Sequence, residues 1–120
     1  AHVSSIEELN SELTHAKNLS QIAILDFYAS WCISCLEFHK LTLQNTKIFN
    51  KLYNFFFIKV DVTKNNNYSE ELLKKYNVIA PPTLIFIDKK GNILKDKTVV
   101  GYINANEFMT ILNDLESNSY

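Results

Sequence analysis

A chain of 120 residues is the size of one ordinary domain. With 47% hydrophobic residues it can bury a core of its own. Its 12 basic and 13 acidic residues leave a net charge of −1, which gives no footprint for nucleic acid and no polybasic patch for a membrane surface. No apolar run approaches the roughly 18 residues of a membrane span, and no basic start leads into an apolar stretch as in a signal peptide.

The opening AHVSS is read as partly a remnant ahead of the domain, with Ser5 as the first residue of an element. Ser5-Ile6-Glu7-Glu8 has the form of a capping box, and Ile6, Leu9, Leu13 and Ala16 follow helical spacing. A helix is therefore predicted over about 5–17, then a loop at Asn18 to Gln21. Ile22 to Ala29 is the clearest strand. Ile22, Ile24, Asp26 and Tyr28 fall on one side and Ala23, Leu25, Phe27 and Ala29 on the other, so both faces are apolar apart from Asp26. Such a strand belongs in the middle of a sheet covered on both sides.

A helix is expected to begin near Cys32, with Cys32, Cys35, Leu36, His39 and Leu43 on one stripe. The region 46–53 continues helically after a break. Phe55 to Val62 reads as a second inner strand, Lys64 to Asn67 as a loop, and Ser69 to Tyr76 as a short helix with lysines near its end. Leu84 to Asp88, the Lys89-Lys90-Gly91-Asn92 turn and a strand at about 93–100 form a predicted hairpin. Asn104 caps a last helix, with Phe108, Ile111, Leu112 and Leu115 on its buried face. The order describes an α/β layer fold with a mixed sheet.

Cys32 and Cys35 are the only cysteines. A bridge across so short a span would stabilise the fold little, which leaves redox chemistry or metal binding. At a helix start, the first sulfur meets free N–H groups and the helix dipole, both of which favour its thiolate. The second sits one turn in, placed to resolve a mixed disulfide. Zinc is the competing reading, through Cys32, Cys35 and His39. A structural zinc site usually has four ligands, and His2 and His15 lie far back near the N-terminus.

Asp26 interrupts an apolar strand. Buried there, its carboxyl is expected to favour the protonated form and to exchange a proton with Cys35. The competing reading is a solvated strand face. His39, two turns below the cysteines, is expected to face Asp26 and titrate with it, or to be a packed histidine without a role. Pro82, before Thr83, is a candidate cis proline or an ordinary turn residue.

AILDFYASWCISC followed by VIAPPTLIFID resembles the thioredoxin superfamily over essentially the whole chain. The resemblance implies a thioredoxin fold, with a central mixed β-sheet flanked by helices on both faces. It implies Cys32 as nucleophile, Cys35 as resolving thiol, a redox-active Cys32–Cys35 disulfide and Asp26 as the buried acid. Pro82 becomes the cis proline facing the pair, with Trp31, Pro81, Pro82 and Gly101 on the partner-contact surface. No organic cofactor or metal is needed.

Within the superfamily, SIEELNSELTHAKNLSQIAILDFYASWCISCLEFHKLT and the KVDVT run near residue 61 look like the C-terminal thioredoxin-like domain of the DsbD thiol:disulfide interchange family. That likeness implies a disulfide reductase domain within a longer membrane protein, on the periplasmic side of a bacterial inner membrane. A membrane domain would be the electron donor and an N-terminal periplasmic domain the acceptor, the isolated domain being a monomer. An independent thioredoxin, or a CcmG-like reductase of cytochrome c maturation, is the alternative with the same chemistry. A non-catalytic zinc module is the alternative from another class. Where that family implies a glutamate seven residues after the nucleophile, this chain has His39. Paired with Asp26, His39 is expected to favour the Cys32 thiolate more than a second carboxylate would.

Overall fold

Two apolar faces on one strand call for two covering layers. In the computed structural model, which describes residues 1–118 and 120, the chain supplies both. The strands are β1 (His2–Val3), β2 (Ala23–Tyr28), β3 (Phe56–Asp61), β4 (Thr83–Ile87) and β5 (Val99–Val100). The α-helices are α1 (Ile6–Asn18), α2 (Ile33–Glu37), α3 (Thr46–Lys51), α4 (Asn67–Lys75) and α5 (Ala105–Ser117). The sheet order is β1-β3-β2-β4-β5, so β2 is central. It runs parallel to β3 and antiparallel to β4.

Alternation along β2 sends its side chains to the two layers. Ala23, Leu25 and Phe27 pack with Leu9 and Ala16 of α1 and Leu72 of α4. Ile22 and Ile24 pack with Phe38, Ile48 and the Phe108, Leu112 and Leu115 face of α5. This is the mixed sheet, helix-covered on both faces, that the resemblance implies.

Local chemistry fixes the helix ends. Ser5 Oγ accepts the Glu8 N–H at 3.2 Å, while the Glu8 carboxylate takes the Ser4 N–H at 2.9 Å. The cap is therefore shifted one residue from a strict capping box. Asn104 and Glu107 form the strict version at α5, each side chain accepting the other's backbone N–H. Gly91 closes the turn after β4 with φ of 91°, a conformation open to glycine.

Three expectations are corrected. AHVSS is not outside the fold: His2 and Val3 pair in parallel with Lys59 and Val60 as an edge strand, and Val3 is buried. Two residues are too few to leave a periodic signal. The strand expected at 93–100 is split. Ile93 makes a single bridge to Ile87, a 3₁₀ turn (Lys95–Lys97) follows, and only Val99–Val100 pairs again. Lys97 bonds Asp114 of α5 at 2.7 Å, which draws the turn off the sheet.

The third correction concerns the helix after Cys32. It is α-helical only to Glu37 and then widens into a π-helical turn, Phe38–Leu43. Leu36, still within α2, and His39 are exposed rather than on the inner stripe, and Phe38 and Thr42 follow Cys35 on the buried side instead. Thr42 is fully buried, and its Oγ1 donates to Ile103 O at 2.7 Å. That bond ties the π turn to the segment leading into α5.

Candidate active site

The site forms where β2 ends. Antiparallel pairing of Phe27 with Thr83 brings the start of β4 to the same end of the sheet. Pro82 therefore lies beside the segment that leads from Tyr28 to Cys32. The Pro81–Pro82 bond is cis. Pro82 O accepts the Gly101 N–H at 2.9 Å, and Thr83 pairs with Val100, so the β5 end joins the same rim. Gly101 has φ of 91°, with nothing within 4 Å of a built Cβ. Its glycine is required by backbone conformation rather than by crowding.

Cys32 is the N-cap of α2, and its Sγ accepts the Cys35 N–H at 3.2 Å. Cys32 and Cys35 are joined by a disulfide, with Cα atoms 5.2 Å apart. The sequence reading expects an exposed first sulfur and a shielded second. In the disulfide the two residues are 8% and 5% exposed, so both are covered. Among the described residues no group of three His, Cys, Asp or Glu is arranged to hold a metal ion.

Asp26 lies on the β2 face covered by the Phe38–Leu43 turn and α5, and it is 2% exposed. Its Oδ1 has no hydrogen-bond partner among the described residues. Burial pushes its pKa from 3.8 up to about 6, and the Lys59 charge, on the residue paired with it in β3, pulls the other way. The expected raised carboxyl is therefore present, in an apolar setting with a cation near it.

The expected Asp26–His39 pair is not. His39 is exposed, on the widened turn, and its Nε2 accepts an N–H of the Gln44 amide at 3.2 Å. Accepting that bond requires the neutral ring. Partial burial, and then the Lys59 charge, hold its pKa below the ordinary histidine value. A neutral, outward histidine has no means of stabilising the Cys32 thiolate as a cation. The sequence reading failed here because Phe38 and His39, three and four residues after Cys35, both continue a helical stripe, and Phe38 takes the buried place against Phe108.

Trp31 is 63% exposed yet tethered: its Nε1–H donates to Thr63 O at 3.0 Å. Ile33, Ile79 and Val100 are 75%, 97% and 76% exposed; Ile33 and Val100 adjoin Cys32 and Gly101 in sequence, and Ile79 lies two residues before Pro81. Pro81 is half-buried. The resemblance implies Trp31, Pro81, Pro82 and Gly101 as contact residues and did not single out these three aliphatic ones. Their only signal was an apolar side chain where loop or edge structure begins.

A disulfide at a helix start, a cis proline at the same end of the sheet and a buried acid on the strand that leads to the disulfide define a thiol–disulfide oxidoreductase domain of the thioredoxin fold. The chain belongs to the thioredoxin-like domain family, whose model matches residues 9–116. Over 113 residues it is 37% identical to the thiol:disulfide interchange protein DsbD of Actinobacillus pleuropneumoniae serotype 5b, covering 94% of this chain and 19% of that protein. DsbD of Yersinia pestis (strain Pestoides F) is 36% identical over 112 residues, covering 93% of this chain and 18% of that protein. The chain thus spans about a fifth of the length of these curated relatives. Among solved structures, the oxidised DsbD C-terminal domain of Neisseria meningitidis superposes with a TM-score of 0.80 at 28% identity, covering 98% of this chain and 99% of that one. A poplar thioredoxin h, at 19% identity and a TM-score of 0.75 over 98% and 96% of the two chains, shares the fold.

Proposed function

We propose that the domain works as a disulfide reductase, relaying electron pairs as the C-terminal domain of a DsbD-type protein. The observation that carries the reading is the Cys32–Cys35 disulfide at a helix start, on a chain whose superposition covers 99% of the Neisseria meningitidis DsbD C-terminal domain. In the reduced domain, the Cys32 thiolate attacks a partner disulfide, giving a mixed disulfide and a partner thiolate. Cys35 then gives its proton to the Asp26 carboxylate and attacks Cys32 Sγ. The partner leaves as a dithiol, the domain is oxidised to the disulfide seen here, and two electrons have moved. The reverse sequence, from a membrane donor, reduces the domain again.

On this reading the domain is C-terminal in a longer membrane protein and faces the periplasm. A membrane domain donates the electrons and an N-terminal periplasmic domain accepts them, with cytochrome c biogenesis among the processes served. No helix among the described residues is long and apolar enough to cross a membrane. Trp31, Pro81, Pro82 and Gly101, with the exposed Ile33, Ile79 and Val100, supply the apolar contact surface. His39 is left out of the proton path.

Equilibration with glutathione buffers tests the direction. A reductase is expected to titrate at or below about −200 mV, whereas a value above about −150 mV would make the domain an oxidant. Pro81 offers a second test. A partner segment adding as a strand meets a carbonyl but no N–H at this residue. Pro81→Leu is expected to tighten non-covalent binding of the acceptor domain to a Cys32→Ser/Cys35→Ser form by about 2- to 10-fold, the value of one hydrogen bond. Unchanged affinity by calorimetry would count against strand addition there.

A further inference from the structure

Asp61 ends β3, and Val62 and Thr63 follow it into the loop beside the site. Its Oδ1 accepts the Thr63 N–H at 2.8 Å, an Asx turn that bends the chain back. Its Oδ2 accepts the Tyr28 O–H at 3.1 Å and lies 3.1 Å from His2 Nε2. His2 Nε2 is in turn 3.2 Å from the Tyr28 hydroxyl. One carboxylate therefore joins β1, β2 and β3 at the end of the sheet where the disulfide sits. Partial burial works against the ionised form of Asp61, and the Thr63, His2 and Tyr28 hydrogen bonds outweigh it, holding its pKa below the ordinary value.

Thr63 uses this fixed position twice. Its Oγ1 accepts the Ser30 N–H at 2.9 Å, and its carbonyl accepts the Trp31 indole N–H at 3.0 Å. The next residue, Cys32, donates its N–H to Ala29 O at 3.1 Å. The segment from Ala29 to Cys32 is thus bonded at three successive residues, two of them to Thr63.

We propose that Thr63 is a positioning residue, which presets Trp31 and the approach to Cys32 for a protein partner. This rests on the reductase reading above. An exposed indole left free would have to be immobilised on each docking, and one already held does not. A small disulfide needs no such surface and reaches the sulfur either way.

Trp31 is the only tryptophan, so its fluorescence reports on the tether directly. Time-resolved anisotropy of the oxidised protein is expected to show only whole-domain tumbling in the wild type and in Thr63→Ser, which keeps the hydroxyl. Thr63→Val, which loses the bond that fixes Ser30 next to Trp31, and Asp61→Ala, which releases the turn that holds the Thr63 carbonyl, are expected to add a fast local component. With a protein disulfide, those two variants should lose about 3- to 10-fold in kcat/KM through KM. With a small aromatic disulfide they should match the wild type. Wild-type anisotropy in both Thr63→Val and Asp61→Ala would overturn the proposal, whatever the activities. So would equal losses on the protein and small disulfides. A wild type that reduced neither disulfide would instead remove the reductase reading, with the anisotropy still deciding the tether.

Discussion

Cys32→Ser is expected to abolish reduction of a protein disulfide such as insulin, by at least about 10³-fold, because the thiolate is the attacking species. Cys35→Ser should behave differently. Cys32 can still attack, but nothing resolves the product, so a covalent adduct with the partner accumulates. Intact-protein mass spectrometry of the two variants with a partner disulfide separates these outcomes. An adduct on Cys35 in the Cys32→Ser protein would reverse the assignment. Activity that survives Cys32→Ser would remove the enzymatic reading. The geometry behind the asymmetry is the helix start: Cys32 caps α2 and Cys35 lies inside its first turn.

Asp26→Asn is expected to stabilise the oxidised domain at pH 8 relative to pH 4. The carboxyl stands at about 6 in the fold against an ordinary 3.8, with burial as the main cause. Between these values the folded protein keeps a proton that the unfolded chain has released. Stability therefore falls as pH rises from about 4 to about 6, and the deficit is complete above that. The shift corresponds to about 3 kcal/mol. An asparagine amide has its own burial cost, but that cost does not vary with pH and cancels between the two measurements. Urea unfolding of both proteins at pH 4 and pH 8 checks it, and an equal difference at both would mean that Asp26 is not held protonated by the fold. The same variant should lengthen the life of the mixed disulfide at pH 7 by about 10²-fold, the usual scale for losing a general base. A stabilising variant that slows turnover would identify Asp26 as a functional group kept at a cost to the fold.

The sequence made some of this legible for definite reasons. β2 was readable because both its faces are apolar and Asp26 is the only exception. α5 was readable because Asn104 and Glu107 cap it locally. The cysteine pair was readable because it stands at a helix start, and the cis proline was readable only through the family resemblance. What stayed hidden depends on distant partners. The π turn is anchored by Thr42 to Ile103, 61 residues away, and no local pattern announces it. β1 exists only through its pairing with Lys59 and Val60. His39 was misplaced because a stripe read from Cys32 and Cys35 fits Phe38 or His39 equally, and only the packing of Phe38 on Phe108 of α5 decides between them. The tether of Trp31 was hidden likewise, because it runs through a main-chain carbonyl 32 residues on.

Both outer strands of the sheet, β1 and β5, are two residues long. A sheet this apolar inside would, with long free margins, be a template for foreign strands and for its own copies. Margins of two residues offer too few rungs for an incoming chain to zip onto. At one margin the sheet gives way to a lysine-bearing 3₁₀ turn, and at the other His2 occupies its ring nitrogen with Asp61 and Tyr28. Margins closed in this way leave the sheet little with which to recruit further strands, whether from another protein or from a second copy of this chain.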